Sequence, residues 1–289
     1  MKKVMIHPNP TRDYGLVSSR KIAAFLQKSN VEVTIPEGIV DDAPIPGVHI
    51  MPFEDAICGI DMVVSVGGDG SILHTARQAA VHKIPILGVN VGRMGYMAEL
   101  ECGEFDYLGQ IISGNYTIDE RMMLNVEIMR DHEVIYTNTG LNDVVVAKTN
   151  RLKIIDLDIY ADKFFISHYQ GDGVVIATPT GSTAYSMSAG GPIVDPQSSN
   201  LTITPVCTHS LSAKPVVLSP KRVIYVQGLT SVEGAVGVSV DGSVHIGMKY
   251  GDQVIVTQSP LTTRLIRVKN NNFYDILCTK LSERRFDDI

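Results

Sequence analysis

The N-terminal part of the chain alternates apolar segments of strand length with amphipathic segments of helix length. The apolar segments lie at 4–7, 31–35, 61–66 and 84–89, and the amphipathic ones lie near 17–28 and from residue 71 onward. This alternation is typical of βαβ units, in which helices connect parallel strands. Glycines and prolines between about residues 36 and 48 predict a loop. The sequence therefore predicts an α/β domain over residues 1–120 with a mostly parallel sheet.

The rest of the chain shows a different pattern, because strand-like segments follow one another between turns. Ile155, Leu157 and Ile159 alternate with aspartates, which is the two-residue period of a half-buried strand. We predict a β-rich domain over residues 121–268, with strands at 125–129, 144–147, 154–160, 164–168, 223–226, 235–240 and 253–257. Apolar residues at helical spacing predict a last helix over 272–284, in a C-terminal segment, 269–289, that packs back on the first domain.

Composition argues against several classes of protein. With 289 residues, 44% hydrophobic and 19% charged, the chain can bury a sizeable core and suits two domains. A net charge of −6 without a long basic cluster predicts no nucleic-acid partner. No apolar run approaches the ~18 residues of a membrane helix or forms a signal peptide, so we expect a cytoplasmic protein without a membrane partner. The cysteines lie far apart and form no CxxC pair, which predicts no disulfide framework. The histidines lack the spacing of metal ligands, so we expect no protein-bound metal.

The sharpest local motif is Gly67-Gly68-Asp69-Gly70-Ser71, which lies between an apolar strand and a helical segment. Glycines let the backbone approach an anion, and the N-terminus of the following helix offers N–H groups and a positive dipole end. The motif therefore predicts a phosphate-binding loop. The alternative is an ordinary strand-to-helix turn in which Asp69 caps the helix, and Ser71 suits either a capping or a phosphate-binding role.

The loop differs from both common nucleotide motifs, because it lacks the Gly-Lys-Ser/Thr of a Walker A loop and the GxGxxG pattern of hydride-transfer sites. A carboxylate inside a phosphate loop suits a reaction in which an alcohol loses its proton as it attacks phosphorus. We therefore predict that Asp69 is a general base.

A second block, 171–194, supplies small and hydroxyl residues with one aromatic ring, Tyr185. Such residues can hydrogen-bond and stack a flat heterocycle. Taken alone, the block could equally be a Ser/Thr-rich loop that opens a short helix.

Together the two blocks resemble the NAD kinase family. The Gly-Gly-Asp-Gly motif is similar to that of a kinase superfamily that also contains lipid kinases and phosphofructokinases, and the block at 171–194 resembles the NAD kinase signature along its length. Shorter stretches at 88–97, 204–211 and 240–242 are similar to the family too. Asn142-Asp143 resembles the family's Asn-Glu pair, with a carboxylate one methylene shorter.

The resemblance implies a Rossmann-like α/β domain, a β-sandwich domain and an active site in the cleft between them. ATP phosphates would bind at Gly67, Gly68, Gly70 and Ser71, and Mg²⁺ or Mn²⁺ would arrive with the ATP. Asp69 would take a proton from the 2′-hydroxyl of the adenosine ribose of NAD. The residues implied at the dinucleotide are Tyr96, Asn142, Asp143, Asp172, Thr180, Thr183, Ala184, Tyr185, Ser188 and Asp241. A homodimer or homotetramer is expected.

Other interpretations stay open at this level. Asp241-Gly242 is also the best hairpin turn in the sequence, and Asp172 could lie in a plain turn. The family places the counterpart of Asp172 near the dinucleotide, in some members across a subunit boundary. A lipid kinase of the diacylglycerol type shares the glycine loop, although it usually has Asn-Glu directly after the loop, where this chain has Ile72-Leu73. A dinucleotide-binding regulator that has lost catalysis is the alternative outside enzymology.

Overall fold

The structure is a computed structural model that describes residues 1–39, 45–92, 95–149, 153–209, 213–230, 232, 234–243, 245–270 and 273–283. The chain forms two compact units. Unit 1 contains Met1–Glu120 and Thr263–Ile289, and unit 2 contains Arg121–Thr262. The predicted β-rich domain ended at residue 268, whereas in this division residues 263–268 group with the N-terminal residues.

Strands and helices alternate through the first part of unit 1. The elements are β1 (Lys3–Pro8), α1 (Val17–Lys28), β2 (Glu32–Pro36), β3 (His49–Met51), α2 (Phe53–Ala56), β4 (Met62–Gly67), α3 (Asp69–Val81), β5 (Ile86–Asn90), β6 (Leu100–Glu101) and α4 (Tyr107–Ile112). A 3₁₀ turn, Tyr14–Leu16, precedes α1.

Strands dominate the remainder. The elements are β7 (Thr117–Arg130), β8 (Glu133–Gly140), β9 (Asp143–Lys148), β10 (Ile155–Ala161), β11 (Phe164–Gly171), β12 (Gly173–Ala177), a 3₁₀ turn (Thr180–Thr183), α5 (Tyr185–Ser188), β13 (Leu201–Val206), β14 (Val216–Leu218), β15 (Ile224–Gly228), β16 (Val236–Val240), β17 (Ile246–Met248), β18 (Gln253–Arg267) and α6 (Phe273–Glu283). Within the described ranges, no helix is long and apolar enough to cross a membrane.

The sheet of unit 1 is parallel; five of its strands lie in the order β5-β4-β1-β2-β3, and β6 pairs with β5. The chain builds from β1 through β2 to β3 on one side and then returns to place β4 on the other side of β1. The boundary between β1 and β4 is therefore a topological switch point, where the connections leave in opposite directions and open a crevice at the carboxyl ends of the strands.

Local sequence explains how α1 starts and packs. Ile22, Ala23 and Leu26 recur at helical spacing and are fully buried against the sheet core of unit 1. The carboxylate of Asp13 accepts the backbone N–H groups of Ser18 and Ser19, each at 2.9 Å. These contacts satisfy donors that the first helical turn leaves unpaired. The predicted helix over 17–28 is thus confirmed.

Unit 2 contains two antiparallel sheets that share one apolar core. In the first sheet β10 pairs with β11 and β15, β15 pairs with β18, and β7 pairs with β8 and β18. The second sheet has the order β14-β13-β12-β9-β16-β17. The alternating Ile155, Leu157 and Ile159 are buried, and they contribute to a core that also contains Val174 and Ile176 of the second sheet. The predicted fold class, an α/β domain followed by a β-sandwich domain, is confirmed.

Candidate active site

A cavity of about 310 Å³ lies in unit 1 where β1, β4 and β5 end, at the topological switch point. Ligand sites of open parallel sheets form at this position, and the volume is that of a small-molecule pocket. The cavity is lined by Asn9, Arg12, Gly68, Asp69, Gly70, Ser71, Asn90, Val91, Gly95 and Lys280. The predicted phosphate loop therefore forms much of one wall.

The glycines of this loop are required for different reasons. A Cβ atom at Gly67 would lie 2.1 Å from the Ser71 hydroxyl oxygen, so internal packing alone demands glycine there. A Cβ atom at Gly68 or Gly70 would meet no atom within 4 Å, and neither residue has positive φ. The protein's own packing therefore does not explain Gly68 and Gly70. An occupant that must approach the backbone, such as a phosphate at the N-terminus of α3, does explain them.

The Asp69 side chain is held at the edge of the cavity by a second loop. Its Oδ2 atom accepts the backbone N–H of Tyr96 at 2.7 Å, and its Oδ1 atom accepts that of Met97 at 3.1 Å. A Cβ atom at Gly95 would lie 2.1 Å from Oδ1, so this close approach needs glycine. Gly68, not Asp69, is the cap residue of α3, and the interpretation of Asp69 as an ordinary helix cap is wrong. An ionised carboxylate has about four acceptor positions, so Asp69 keeps capacity for a substrate hydroxyl.

Asn90 places a buried amide against the same cavity. The side chain is 1% exposed, and its Nδ2 donates to Oε2 of Glu101 at 2.7 Å, which fixes the orientation of the amide. Its Oδ1 has no hydrogen-bond partner among the residues that the structure describes. A buried carbonyl oxygen without a partner is costly, so the site favours a ligand or a water that donates to Asn90.

A second cluster of predicted residues forms in unit 2 around the loop 141–143. Oδ1 of Asp241 accepts the backbone N–H groups of Asn142 at 2.8 Å and Asp143 at 3.1 Å, and Oδ2 accepts that of Leu141 at 2.7 Å. Asp241 and Gly242 have φ of 50° and 70°, and Ser243 donates to the Val240 carbonyl, as in a type I′ turn. Asp241-Gly242 is therefore the predicted turn, and the carboxylate also holds the Asn142 loop.

The other side of this loop is held by the segment after β12. Thr178 donates through Oγ1 to the Leu141 carbonyl at 2.5 Å and through its N–H to the Asn142 carbonyl at 2.8 Å. A Cβ atom at Gly181 would lie 2.1 Å from the Asn142 carbonyl oxygen, so the two segments touch at backbone distance. Asn142 is 8% exposed, and its Oδ1 lacks a hydrogen-bond partner in the described part of the chain. This amide is a second buried group suited to a ligand.

Asp143 of unit 2 is a buried carboxyl group with a strongly raised pKa. It is 5% exposed, and burial, followed by the nearby charge of Asp241, raises its pKa to about 7. Near neutral pH the group is therefore partly protonated. A neutral carboxyl can donate a hydrogen bond as well as accept one.

The remaining predicted residues of unit 2 occupy different positions. Thr180 is buried and accepts a hydrogen bond from the Arg121 guanidinium at 3.3 Å. Tyr185 begins α5 with 45% of its surface exposed, Thr183 and Ala184 are half-buried, and Ser188 is exposed. Asp172 pairs with the Lys148 ammonium at 2.5 Å and lies at the opposite end of β12 from Thr178. The structure therefore brings Asn142, Asp143, Thr180 and Asp241 together, but not Asp172.

Sequence reasoning missed several residues that line the cavity of unit 1. Asn9, Arg12 and Lys280 were not singled out at all, whereas Asn90, Val91 and Gly95 lie in the family-like stretch 88–97 but were given no role. Asn9 and Asn90 stand at the carboxyl ends of β1 and β5, so their position after buried parallel strands was a usable signal. Lys280 carried no such signal, because it lies on the C-terminal helix.

Comparison with known families finds two matches. The family model described as "ATP-NAD kinase N-terminal domain" matches residues 52–116, and the one described as "ATP-NAD kinase C-terminal domain" matches residues 141–268. The NAD kinase of Ruminiclostridium cellulolyticum is 34% identical over 290 residues, 99% of both chains. The NAD kinase of Carboxydothermus hydrogenoformans is 38% identical over 266 residues, 91% of this chain and 92% of the relative.

Two solved structures of kinases that act on NAD or NADH are similar to this chain. Yeast NADH kinase complexed with NADH superposes with a TM-score of 0.89 at 25% identity, covering 98% of this chain and 88% of that one. An NAD kinase from Archaeoglobus fulgidus in complex with ATP superposes with a TM-score of 0.74 at 24% identity, covering 98% and 99%, and shows the same fold. The chain belongs to the ATP-NAD kinase family.

Proposed function

We propose that this protein is an NAD kinase that transfers the γ-phosphoryl group of ATP to the 2′-hydroxyl of the adenosine ribose of NAD, giving NADP and ADP. The observation that carries the proposal is the carboxylate of Asp69, held against a glycine-lined cavity at the switch point of the sheet. Family membership supports the nature of both substrates.

In unit 1, Gly68, Gly70 and Ser71 would contact the ATP phosphates, because the space above both glycines is open. Gly67 supports the loop from beneath, where its hydrogen faces Ser71. Asp69 would accept the 2′-hydroxyl proton as the ribose oxygen attacks the γ-phosphorus and the bond from that phosphorus to the bridging oxygen of ADP breaks.

In unit 2, the residues at Asn142 and from Thr180 to Ser188 would bind NAD. The Asn142 amide offers a donor beside an acceptor, the pair that an asparagine can use to recognise adenine. Thr180, Thr183 and Ala184 would line the dinucleotide with Ser188, and the exposed ring of Tyr185 is available for stacking. Asp143, which lies beside Asn142, and Asp172, which lies at the other end of β12, remain proposed NAD residues of unit 2, as does Tyr96 of unit 1. Asp241 would act through Asn142, because its oxygens already accept three backbone N–H groups.

A divalent cation, Mg²⁺ or Mn²⁺, is part of the proposal as a companion of ATP. Within the described ranges, no three His, Cys, Asp or Glu side chains group as metal ligands, so phosphate oxygens and water would supply most of the coordination. Asn90 lines the cavity, and its buried Oδ1 has no hydrogen-bond partner among the described residues, so this amide would suit a bound polar group. The cation would neutralise charge on the phosphates. We also propose a cytoplasmic homodimer or homotetramer.

The test of catalysis is Asp69→Asn, assayed for NADP formation and for NAD binding. Asparagine cannot accept the ribose proton, so we expect kcat to fall by about a hundredfold or more while NAD still binds.

Asparagine also loses one of the two acceptors for Tyr96 and Met97, so a matched control is needed. Asp61 accepts the backbone N–H groups of Lys2 and Lys3 in the same unit, away from the cavity. Asp61→Asn therefore removes the charge of another carboxylate that accepts backbone N–H groups, and it should keep kcat. If Asp69→Asn retains kcat within a few-fold of wild type, the proposed base is wrong.

The same purified protein separates the other candidate functions. A lipid kinase would phosphorylate diacylglycerol and leave NAD unchanged, whereas a non-catalytic regulator would bind NAD without turnover. Formation of NADP from NAD and ATP excludes both.

A further inference from the structure

The C-terminal helix α6 brings an ammonium group to the cavity of unit 1. Lys280 lines the cavity, and its Nζ lies 3.9 Å from the centroid of the Tyr96 ring. The backbone N–H of Tyr96 in turn donates to the Asp69 carboxylate at 2.7 Å. The ammonium is therefore placed on the loop that holds the proposed base.

A guanidinium reaches the same cavity from the loop that follows β1. Arg12 lines the cavity, and its backbone N–H donates to the Asn9 carbonyl at 3.0 Å. Asn9 donates through its own N–H to the Val66 carbonyl at 2.8 Å and through Nδ2 to the Ser71 hydroxyl at 3.2 Å. The backbone that carries Arg12 is thus tied to the end of β4 and to the first turn of α3.

The charged side chains among the described lining residues of the cavity sum to a positive charge, although the protein as a whole carries −6. Two cations, Arg12 and Lys280, and one carboxylate, Asp69, stand among the described lining residues. The positive end of the α3 dipole adds to this balance. Such a cavity favours a ligand with several negative charges over a neutral one.

Both cations lie outside the ranges that the two family models match. Arg12 precedes the match at 52–116, and Lys280 follows the match at 141–268. The phosphate loop thus receives its cationic side chains from two segments outside the matched ranges.

We propose that Lys280 and Arg12 bind the phosphate chain of the phosphoryl donor. Their positive charges would make the affinity for the donor depend on the negative charge of that chain. The inference rests on the proposed kinase function and extends it to named donor-binding residues. Lysine and arginine make charge-assisted hydrogen bonds with phosphate oxygens, which are stronger than those between neutral groups.

The first test compares Lys280→Met and Lys280→Arg in steady-state kinetics. Methionine keeps much of the apolar side chain and removes the charge, so the KM for ATP should rise about tenfold or more, the size expected for one lost charged hydrogen bond. The KM for NAD should change less than about twofold on the same scale. Arginine keeps the charge and should hold the KM for ATP near the wild-type value. Lys21→Met, an exposed lysine in the middle of α1 and outside the cavity, is the matched control.

The second test measures binding of ADP and of inorganic tripolyphosphate without NAD, at low and high salt. Lys280→Met and Arg12→Met should each weaken binding of both ligands and reduce its salt dependence, because each variant removes one charge from the contact. Equal loss of ATP and NAD affinity, or failure of arginine to rescue, would mean that Lys280 only supports the Tyr96 loop.

The two tests keep the inference separate from the proposed function. Wild-type protein that makes NADP, with an unchanged KM for ATP in Lys280→Met, overturns the inference alone. Wild-type protein that makes no NADP overturns the function, and tripolyphosphate binding then still decides whether Lys280 and Arg12 form a polyphosphate site.

Discussion

Oδ1 of Asp241 accepts the backbone N–H of Asn142 at 2.8 Å, across 99 residues of sequence. The same carboxylate accepts the N–H groups of Leu141 and Asp143, so one side chain fixes three successive peptide groups. Asn142 therefore presents its buried amide from a loop that the turn after β16 holds in place.

We predict that Asp241→Asn weakens both folding and NAD binding. The asparagine NH₂ group would face one backbone N–H, and loss of a charged hydrogen bond costs about 1.5–3 kcal/mol. We expect the KM for NAD to rise several-fold with little change in the KM for ATP. Denaturant unfolding and steady-state kinetics check this. Asp162→Asn, at a partly exposed residue that accepts the Val223 N–H, is the control and should leave the KM for NAD unchanged.

We predict that Asp143 makes folding stability depend on pH. Its pKa is about 7 in the folded protein against an ordinary value of 3.8, so the folded state keeps a proton that the unfolded chain releases. The resulting stabilisation is complete below about pH 4 and is lost as pH rises through about 7, by at most about 4 kcal/mol. Asparagine mimics the neutral acid. The Tm of Asp143→Asn should therefore exceed that of wild type by more at pH 8 than at pH 5.

The pKa of His7 also makes folding stability depend on pH, but its contribution rises with pH whereas that of Asp143 falls. Burial, followed by the charge of His74, lowers its pKa to about 4 from 6.5, so its neutral form stabilises the fold above pH 6.5 and this stabilisation is lost as pH falls through about 4. Because His7 is present in both proteins, its effect cancels in the difference between their Tm values. A difference that is constant from pH 5 to 8 would show that Asp143 does not titrate in this range.

We predict opposite outcomes for alanine at neighbouring glycines of the phosphate loop. Gly70→Ala has open space and lies in α3, where alanine favours the helix by up to about 1 kcal/mol, so Tm should hold or rise. The added methyl would occupy the proposed phosphate position, so the KM for ATP should rise steeply, and Gly68→Ala should do the same. Gly67→Ala should instead lower Tm, because its Cβ would overlap the Ser71 hydroxyl. Normal ATP affinity in Gly70→Ala would show that the phosphates lie elsewhere.

We predict that Tyr185→Ala impairs NAD binding and spares the fold. The side chain is 45% exposed, so its removal leaves no core cavity. Loss of an aromatic contact, about 0.5–1.5 kcal/mol beyond area burial, should raise the KM for NAD by roughly two- to tenfold. Tyr250→Ala, at another exposed tyrosine of unit 2, is the control. An unchanged KM for NAD in a folded Tyr185→Ala would remove this residue from the site.

Much of the fold was predictable because it is encoded between near neighbours in the chain. The period of apolar residues identified α1 with both of its ends, and the alternation after Ile155 identified a half-buried strand. Elements of two to six residues, such as β3, β6, α2 and α4, were missed, because they are too short for a period to develop.

Short continuous motifs also identified the family and the position of the predicted phosphate loop in the sequence. The sequence by itself determined the α/β and β halves, the NAD kinase family and the glycine loop that lines the cavity. These properties depend on residues within one turn, strand or loop, where local geometry limits the possible contacts.

Only the tertiary structure decided which distant side chains share a site. Strand order places the loop after β1 beside the loop after β4, and the fold of the C-terminal segment brings Lys280 to Asp69 through Tyr96. It also assigned Asp241 to the Asn142 backbone and buried Asp143 beside it. The pairing of residues so far apart follows from the packing of whole strands and helices, whose order in a sheet no local period encodes.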